Sequence, residues 1–160
     1  MNQSFKSTLI LTLLALLIGI GVYFNGSETP IHASKQCDLD DTLICRFNLV
    51  NDKTQELNVK FINKVLTEEQ NDIILTLPVD SVIENIWIQG VNMYMGKVAV
   101  FELATKQDAE GNISNMQFFL GSCSEAKMRW QLVIVVKKVS GQSVTRQSET
   151  YFINFKTDVS

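Results

Sequence analysis

The chain has 160 residues, of which 46% are hydrophobic, and a net charge of −3 from 14 basic and 17 acidic residues. This length leaves room for one domain beyond a terminal segment. The charge is slightly acidic and no basic stripe is present, so nucleic acid is excluded as an expected partner.

The first feature along the chain is an uncharged run rich in Leu and Ile, Thr8–Phe24, with Lys6 as the only charge before it. The run reaches the lower limit of about 17 residues for a helix that spans a bilayer. We predict a single-pass transmembrane anchor, with residues 1–7 as a cytoplasmic tail and the remainder of the chain outside. The alternative is a cleaved signal peptide, for which Ile31-His32-Ala33 is a passable cleavage site.

After the anchor, residues 25–36 are interpreted as a polar linker and residues 37–160 as one extracytoplasmic domain. The three cysteines, Cys37, Cys45 and Cys123, leave one thiol over in an oxidising compartment. We expect a disulfide between Cys37 and Cys45, which lie in a C-x7-C arrangement. A Cys45–Cys123 bridge is the alternative, and the sequence does not decide between the two.

The domain contains short runs of β-branched and aromatic residues, separated by turn residues at spacings of about 10–15 residues. This pattern predicts an all-β fold, an antiparallel immunoglobulin-like sandwich of seven or eight strands. The strands are expected within Leu43–Val50, Glu56–Ile62, Asp72–Val79, Val82–Gln89, Lys97–Ala104, Met116–Gly121, Trp130–Lys138 and Thr150–Phe155.

The usual catalytic residue sets are not found in the sequence. The single histidine, His32, lies in the predicted linker, whereas a nucleophile needs a base that the fold orients. The chain carries no phosphate-binding glycine loop and no zinc-protease motif. We therefore predict that it is not an enzyme, and that no catalytic residues are present.

Sulfur-containing residues occur in two short motifs instead. Met93 and Met95 form an M-x-M-G unit, and Cys123 and Met128 lie in a C-x4-M-x-W unit. Residues two apart on an extended chain face the same side, and soft thiolate and thioether ligands select Cu(I). Met93, Met95, Cys123 and Met128 are therefore candidate copper ligands. The alternative is that these side chains fill the core, as methionine commonly does.

The order of anchor, C-x7-C, M-x-M-G and C-x4-M-x-W resembles a set of small single-pass envelope proteins of proteobacteria. Gly96 and Trp130 complete the last two elements of that pattern. The general layout is also similar to periplasmic sandwich domains of the YtkA/FixH kind. The first resemblance implies an inner-membrane location, a periplasmic domain, and association with copper-delivery and cytochrome oxidase assembly factors.

Two functions from different classes follow as expectations. In the first, the chain is a membrane-anchored periplasmic accessory protein that binds Cu(I) for delivery to an envelope or respiratory partner. In the second, it is a protein-interaction module of an envelope complex, and the sulfur atoms serve only as core. In both, the anchor contacts the lipid of the inner membrane and the partner is an unidentified envelope protein.

Overall fold

The structure is a computed structural model that describes residues 35–39, 41–49, 52–107, 111–122, 124–125, 127–139 and 148–158. The predicted anchor at 8–24, His32 and Cys123 lie outside these residues. Within the described ranges no helix has the length and apolarity needed to cross a bilayer. The anchor therefore stays a prediction.

The described residues form nine strands, and each of the eight predicted runs overlaps one of them. The additional strand, β1, has only three residues, which is too few for an alternating pattern to be seen in the sequence. In chain order the strands are β1 (Gln36–Asp38), β2 (Ile44–Leu49), β3 (Asp52–Phe61), β4 (Gln70–Leu77), β5 (Ser81–Gly90), β6 (Lys97–Gln107), β7 (Asn112–Phe119), β8 (Lys127–Lys138) and β9 (Ser148–Asp158).

The prediction of an all-β fold is confirmed, but the arrangement differs from a sandwich of two separate sheets. Hydrogen bonding runs through one nine-stranded sheet in the order β1-β9-β8-β5-β6-β7-β4-β3-β2. All neighbours are antiparallel except β1 and β9, which are parallel. The reason for the continuity lies in β6. Lys97–Ala99 pair with β5, whereas Val100–Gln107 pair with β7, so one long strand joins the two halves.

Burial along the strands explains the fold. In β4 every second residue is buried, as expected for a strand with one face on a core. In β8, by contrast, Leu132, Val133 and Ile134 are all at most 1% exposed, which fits its position between β9 and β5. Aromatic rings fill the centre: Phe61 lies 5.6 Å from Phe155 and 6.3 Å from Phe118, measured between ring centroids. The buried hydrophobic side chains of the described residues belong to the unit Ser34–Ser160.

The predicted disulfide is present between Cys37 and Cys45, whose Cα atoms are 6.1 Å apart. Cys37 lies in β1 and Cys45 in β2, the two edge strands of the sheet. The bridge therefore joins the two edges and nearly closes the sheet on itself. An edge strand normally presents unpaired backbone groups, and here the covalent link holds the two edges together.

A polar network fixes the chain where it enters β1. The Nζ atom of Lys35 lies 2.6 Å from Oε2 of Glu149 and 4.7 Å from the ring centroid of Tyr151. The hydroxyl of Tyr151 donates a hydrogen bond to the same carboxylate oxygen at 2.6 Å. Burial, and then the neighbouring Glu149 carboxylate, raise the pKa of Tyr151 well above its ordinary value. The phenol is therefore held in its neutral form in the folded protein.

This raised pKa predicts a loss of stability in alkali. In the unfolded chain the Tyr151 phenol ionises with a pKa near 10, whereas in the folded chain it stays protonated. The stabilisation is thus complete below about pH 10 and declines above it, approaching about 1.4 kcal/mol per pH unit. Urea unfolding should show that the free energy of unfolding falls less between pH 8 and pH 11 for Tyr151→Phe than for the parent. Tyr94→Phe, at a side chain that is 93% exposed, should behave as the parent does.

Candidate functional site

The M-x-M-G unit lies in the loop 91–96, which joins β5 to β6. The loop is held against the first residues of β8. The backbone N–H of Val91 donates to the carbonyl of Arg129 at 2.8 Å. The side chain of Asn92 then continues the pairing: its Nδ2 donates to the carbonyl of Lys127 at 3.0 Å, and its Oδ1 accepts the N–H of Arg129 at 2.8 Å. Asn92 thus places the methionine loop beside Met128.

Gly90 allows this close approach. A Cβ atom at this position would lie 2.1 Å from the carbonyl oxygen of Met93 and 3.2 Å from Cε of Met128. Contacts below 3.0 Å to backbone are not tolerated, so a side chain at position 90 would push the loop away from β5. These two distances show that the methyl group of Met128 and the backbone of Met93 approach the same point. The loop and β8 therefore form one corner of the domain, which we call the sulfur corner (Met93, Met95 and Met128).

The three side chains of the sulfur corner differ in exposure. Met128 is 2% exposed and belongs to the buried core. Met93 and Met95 are partly buried and pack against that core. Tyr94 lies between them in sequence and is 93% exposed. The corner therefore combines one interior thioether with two that are partly exposed.

Of the four predicted ligands, the backbone of Met93 and the methyl group of Met128 approach one point, Met95 follows in the same loop and packs against the core, and Cys123 lies outside the described residues. In the sequence Cys123 precedes Met128 by five positions. Among the side chains that are described, no group of three or more His, Cys, Asp or Glu converges on one point. The nitrogen, oxygen and thiolate ligands of the commoner metal sites are thus not assembled in this part of the chain.

A second feature, which sequence reasoning missed, crosses the outer face of the sheet. Four side chains form a row of hydrogen bonds across β5, β8, β9 and β1. Gln89 Nε2 donates to Gln131 Oε1 at 3.1 Å, and Gln131 Nε2 donates to Asn154 Oδ1 at 3.0 Å. Asn154 Nδ2 in turn donates to Asp38 Oδ1 at 2.8 Å. The only signal in the sequence was a polar residue within each apolar strand, and the row depends on strand register that the sequence does not specify.

This row leads into a cleft of about 720 Å³ at one end of the sheet. It is lined by residues of strands β1, β8 and β9 and of the segments 41–43 and 64–65. The buried residues Trp130 and Phe155 contribute to its lining. The indole Nε1 of Trp130 donates a hydrogen bond to Thr157 Oγ1 at 2.9 Å. Val91, where the methionine loop begins, lines the cleft as well. We call this depression the seam cleft, because it lies beside the joined edge strands.

These features define a small all-β domain with one disulfide across the edges of its sheet, a sulfur corner and an adjoining cleft. The chain matches no family model, and comparison with curated proteins and with solved structures gives no significant match. The function therefore has to be argued from the residues themselves.

Proposed function

We propose that the chain is a non-catalytic accessory protein, anchored in the bacterial inner membrane, whose periplasmic domain holds Cu(I) and passes it to an envelope or respiratory partner. The observation that supports this proposal is the attachment of the methionine loop to β8 by Asn92, with the backbone of Met93 and the methyl group of Met128 close to the same point. Thioethers are neutral, soft ligands, and they favour Cu(I) over harder ions. Cys123 would add a thiolate.

The exposure of the corner fits a carrier better than a permanent site. Two of the methionines lie in a surface loop, and loops supply many binding residues because they can move on a rigid scaffold. An ion held partly by such a loop can be released to a partner. The predicted anchor would raise the concentration of the carrier near a membrane-bound recipient.

The proposal is tested by titrating Cu(I) against a competing chelator, using the segment from Ser34 onward, which contains the whole described core. We expect one Cu(I) to be retained per chain. Met95→Leu, Met128→Leu and Cys123→Ser should each weaken retention by at least about tenfold, which is about 1.4 kcal/mol per ligand removed.

Met116→Leu is the matched control, since Met116 is also a buried methionine, 3% exposed, but lies in β7 away from the corner. It should leave retention unchanged. Thermal unfolding of each variant separates loss of a ligand from loss of the fold. If the parent retains no Cu(I), or if Met116→Leu weakens retention as much as Met95→Leu does, the copper proposal fails.

The second candidate function, a protein-interaction module, is favoured by a different observation. Phe101 and Leu103 on β6 and Phe119 on β7 are 55–62% exposed. Every residue of Phe101–Gln107 is exposed, and in the described residues this part of β6 pairs only with β7. Exposed apolar side chains on such a strand are typical of a contact surface. This function requires no metal, so the proposal would still hold if the parent retained no Cu(I).

A further inference from the structure

Apolar side chains are exposed together on the outer surface of the half-sheet that contains β6, β7 and β4. Phe101 and Leu103 on β6 are 62% and 60% exposed, and Phe119 on β7 is 55% exposed. Ile62, which follows β3, is 42% exposed and lines a shallow groove of about 330 Å³ together with Leu103. We call these four residues the apolar face.

Strand register places the two phenylalanines on the same surface as this groove. Phe101 is directly opposite Gln117, and Phe119 is directly opposite Gln70. Both glutamines donate hydrogen bonds to Oδ1 of Asp72, from Nε2 of Gln70 at 3.4 Å and from Nε2 of Gln117 at 3.2 Å. Asp72 lines the groove. Because residues directly opposite one another in a sheet share a face, the four apolar residues belong to one surface.

The free edge of β6 is less suited to a partner than this surface is. Residues 100–107 pair only with β7 among the described strands, and a bulge at Leu103 interrupts the register. Oε1 of Glu102 accepts a hydrogen bond from Oγ of Ser114, which is 4% exposed, so this carboxylate lies on the core side of the strand. Bulges and inward-pointing charges protect edge strands from pairing with other chains. A partner is therefore expected against the face of the sheet.

One amide lies within the apolar face. Asn115 lines the groove with Ile62 and Leu103, and its neighbours directly opposite on β4 and β6 are Ile74 and Ala104. No hydrogen bond joins its side chain to another described residue. An amide carries both donors and acceptors, so it can pair with a second copy of itself across a two-fold axis.

The size of the apolar face and the charges beside it also suit a second copy of the chain. Its four residues expose roughly 400 Å², if a fully exposed side chain of this size presents about 150–250 Å². An interface of standard size contains about 450 Å² of non-polar surface per partner. A two-fold interface brings the same patch of both copies together, so a patch of one charge sign would repel itself. Here Lys60, opposite Ile74, and Lys106, opposite Ile113, share the surface with Asp72.

We propose that the apolar face is the contact surface of a homodimer, in which two copies pack face to face about a two-fold axis near Asn115. The exposed apolar side chains then leave water, and the two Asn115 amides hydrogen-bond to each other. Two sheets packed face to face in this way form an ordinary sandwich layer. The inference rests on the second candidate function, the protein-interaction module, and names its partner as another copy of this chain. It does not depend on copper.

The first experiment measures the mass of the full-length chain by sedimentation equilibrium in density-matched detergent micelles. We expect two chains per assembly. Asn115→Asp keeps the shape of the side chain but places two carboxylates opposite each other, so it should raise the dissociation constant of the dimer by at least about tenfold. Phe101→Ser/Leu103→Ser removes apolar contact and should weaken the dimer by at least about tenfold as well.

The matched controls change residues of the same kinds outside the apolar face. Asn85 on β5 is exposed, and Val79 and Val82 beside the turn between β4 and β5 are 50% and 43% exposed. Asn85→Asp and Val79→Ser/Val82→Ser should dimerise as the parent does. Circular dichroism of every variant checks that the fold is retained.

The second experiment needs no detergent and uses membrane vesicles from the expression host. Asn115→Cys in a Cys123→Ser background should give a crosslinked dimer with a short bismaleimide, whereas Asn85→Cys in the same background should not. A parent that is monomeric, with no crosslink at position 115, would overturn the inference. The second candidate function would still stand, since another protein could cover the face. A dimer that Asn115→Asp and Phe101→Ser/Leu103→Ser leave unchanged would also overturn it, because the predicted anchor would then hold the copies together.

Discussion

Replacing Cys37 and Cys45 together by serine is expected to lower the free energy of unfolding by about 2–3 kcal/mol, the stabilisation calculated from chain entropy for a loop of this size. The two cysteines are eight positions apart in the sequence, but they join the two ends of a nine-stranded sheet. Strand β1 pairs with β9 over only three residues, and besides the disulfide it is held by the Lys35–Glu149 ion pair and the hydrogen bond from Asn154 to Asp38. The measurement is urea unfolding of parent and variant under non-reducing conditions.

Two controls accompany this measurement. Cys123→Ser keeps the Cys37–Cys45 bridge and should unfold at the urea concentration of the parent. Addition of a reductant to the parent should reproduce the double serine variant. If the double variant is as stable as the parent, the bridge does not hold the edges of the sheet and the role assigned to it is wrong.

Replacing Lys35 by methionine is expected to lower the free energy of unfolding by a similar amount, about 2–3 kcal/mol. The Lys35 and Glu149 side chains are 9% and 15% exposed, and the removal of one partner leaves the Glu149 carboxylate in poor contact with water. Breaking a fully buried ion pair costs about 3–5 kcal/mol, and we reduce this figure because some exposure remains.

The matched variant for this prediction is Lys35→Met/Glu149→Leu, which removes both charges. It should recover much of the lost stability, because replacing a buried pair by apolar residues is often nearly neutral. A double variant less stable than Lys35→Met would mean that Glu149 contributes mainly through other contacts, such as the hydrogen bond from Tyr151.

The two predictions concern the same strand and therefore the same functional surface. The disulfide holds Cys37 within β1, and the Lys35 ion pair fixes the residue before it. Gln36 and Asp38, on either side of Cys37, line the seam cleft. Loosening β1 should thus also change the shape of the cleft, whereas the sulfur corner, held by Asn92 and β8, should be affected less. Cu(I) retention by the double serine variant and by Lys35→Met should therefore stay close to that of the parent.

Local patterning was sufficient to predict most of the strands. The runs that became β2 to β9 are rich in β-branched and aromatic residues and end at turn residues, and such signals act over a few neighbouring positions. β1 was missed because three residues carry no periodicity, and it is held in place by β9, the disulfide and Lys35. The sandwich prediction went wrong at β6. The predicted run already spanned the point between Ala99 and Val100 where β6 changes its partner from β5 to β7, but alternation within a strand does not specify its partner.

The features of the candidate site also fall into those that the sequence predicts and those that it does not. Soft ligand chemistry at Met93, Met95 and Met128 could be read from residue types, because thioether affinity is a property of the side chain itself. The attachment of the loop by Asn92 and the amide row from Gln89 to Asp38 could not be predicted in this way. Each depends on which residues are opposite one another, and a shift of one residue in register moves every side chain to the other face.

The sequence by itself determined the class of the domain, the positions of most strands and the residue types available for chemistry, because these depend on composition and on short-range alternation. Only the tertiary structure decided that the sheet is continuous, that Cys37 pairs with Cys45 across its edges, and that a row of amide side chains leads into the seam cleft. These features join residues far apart in the chain. Their placement is set by the register and curvature of the packed strands, which many weak contacts determine together.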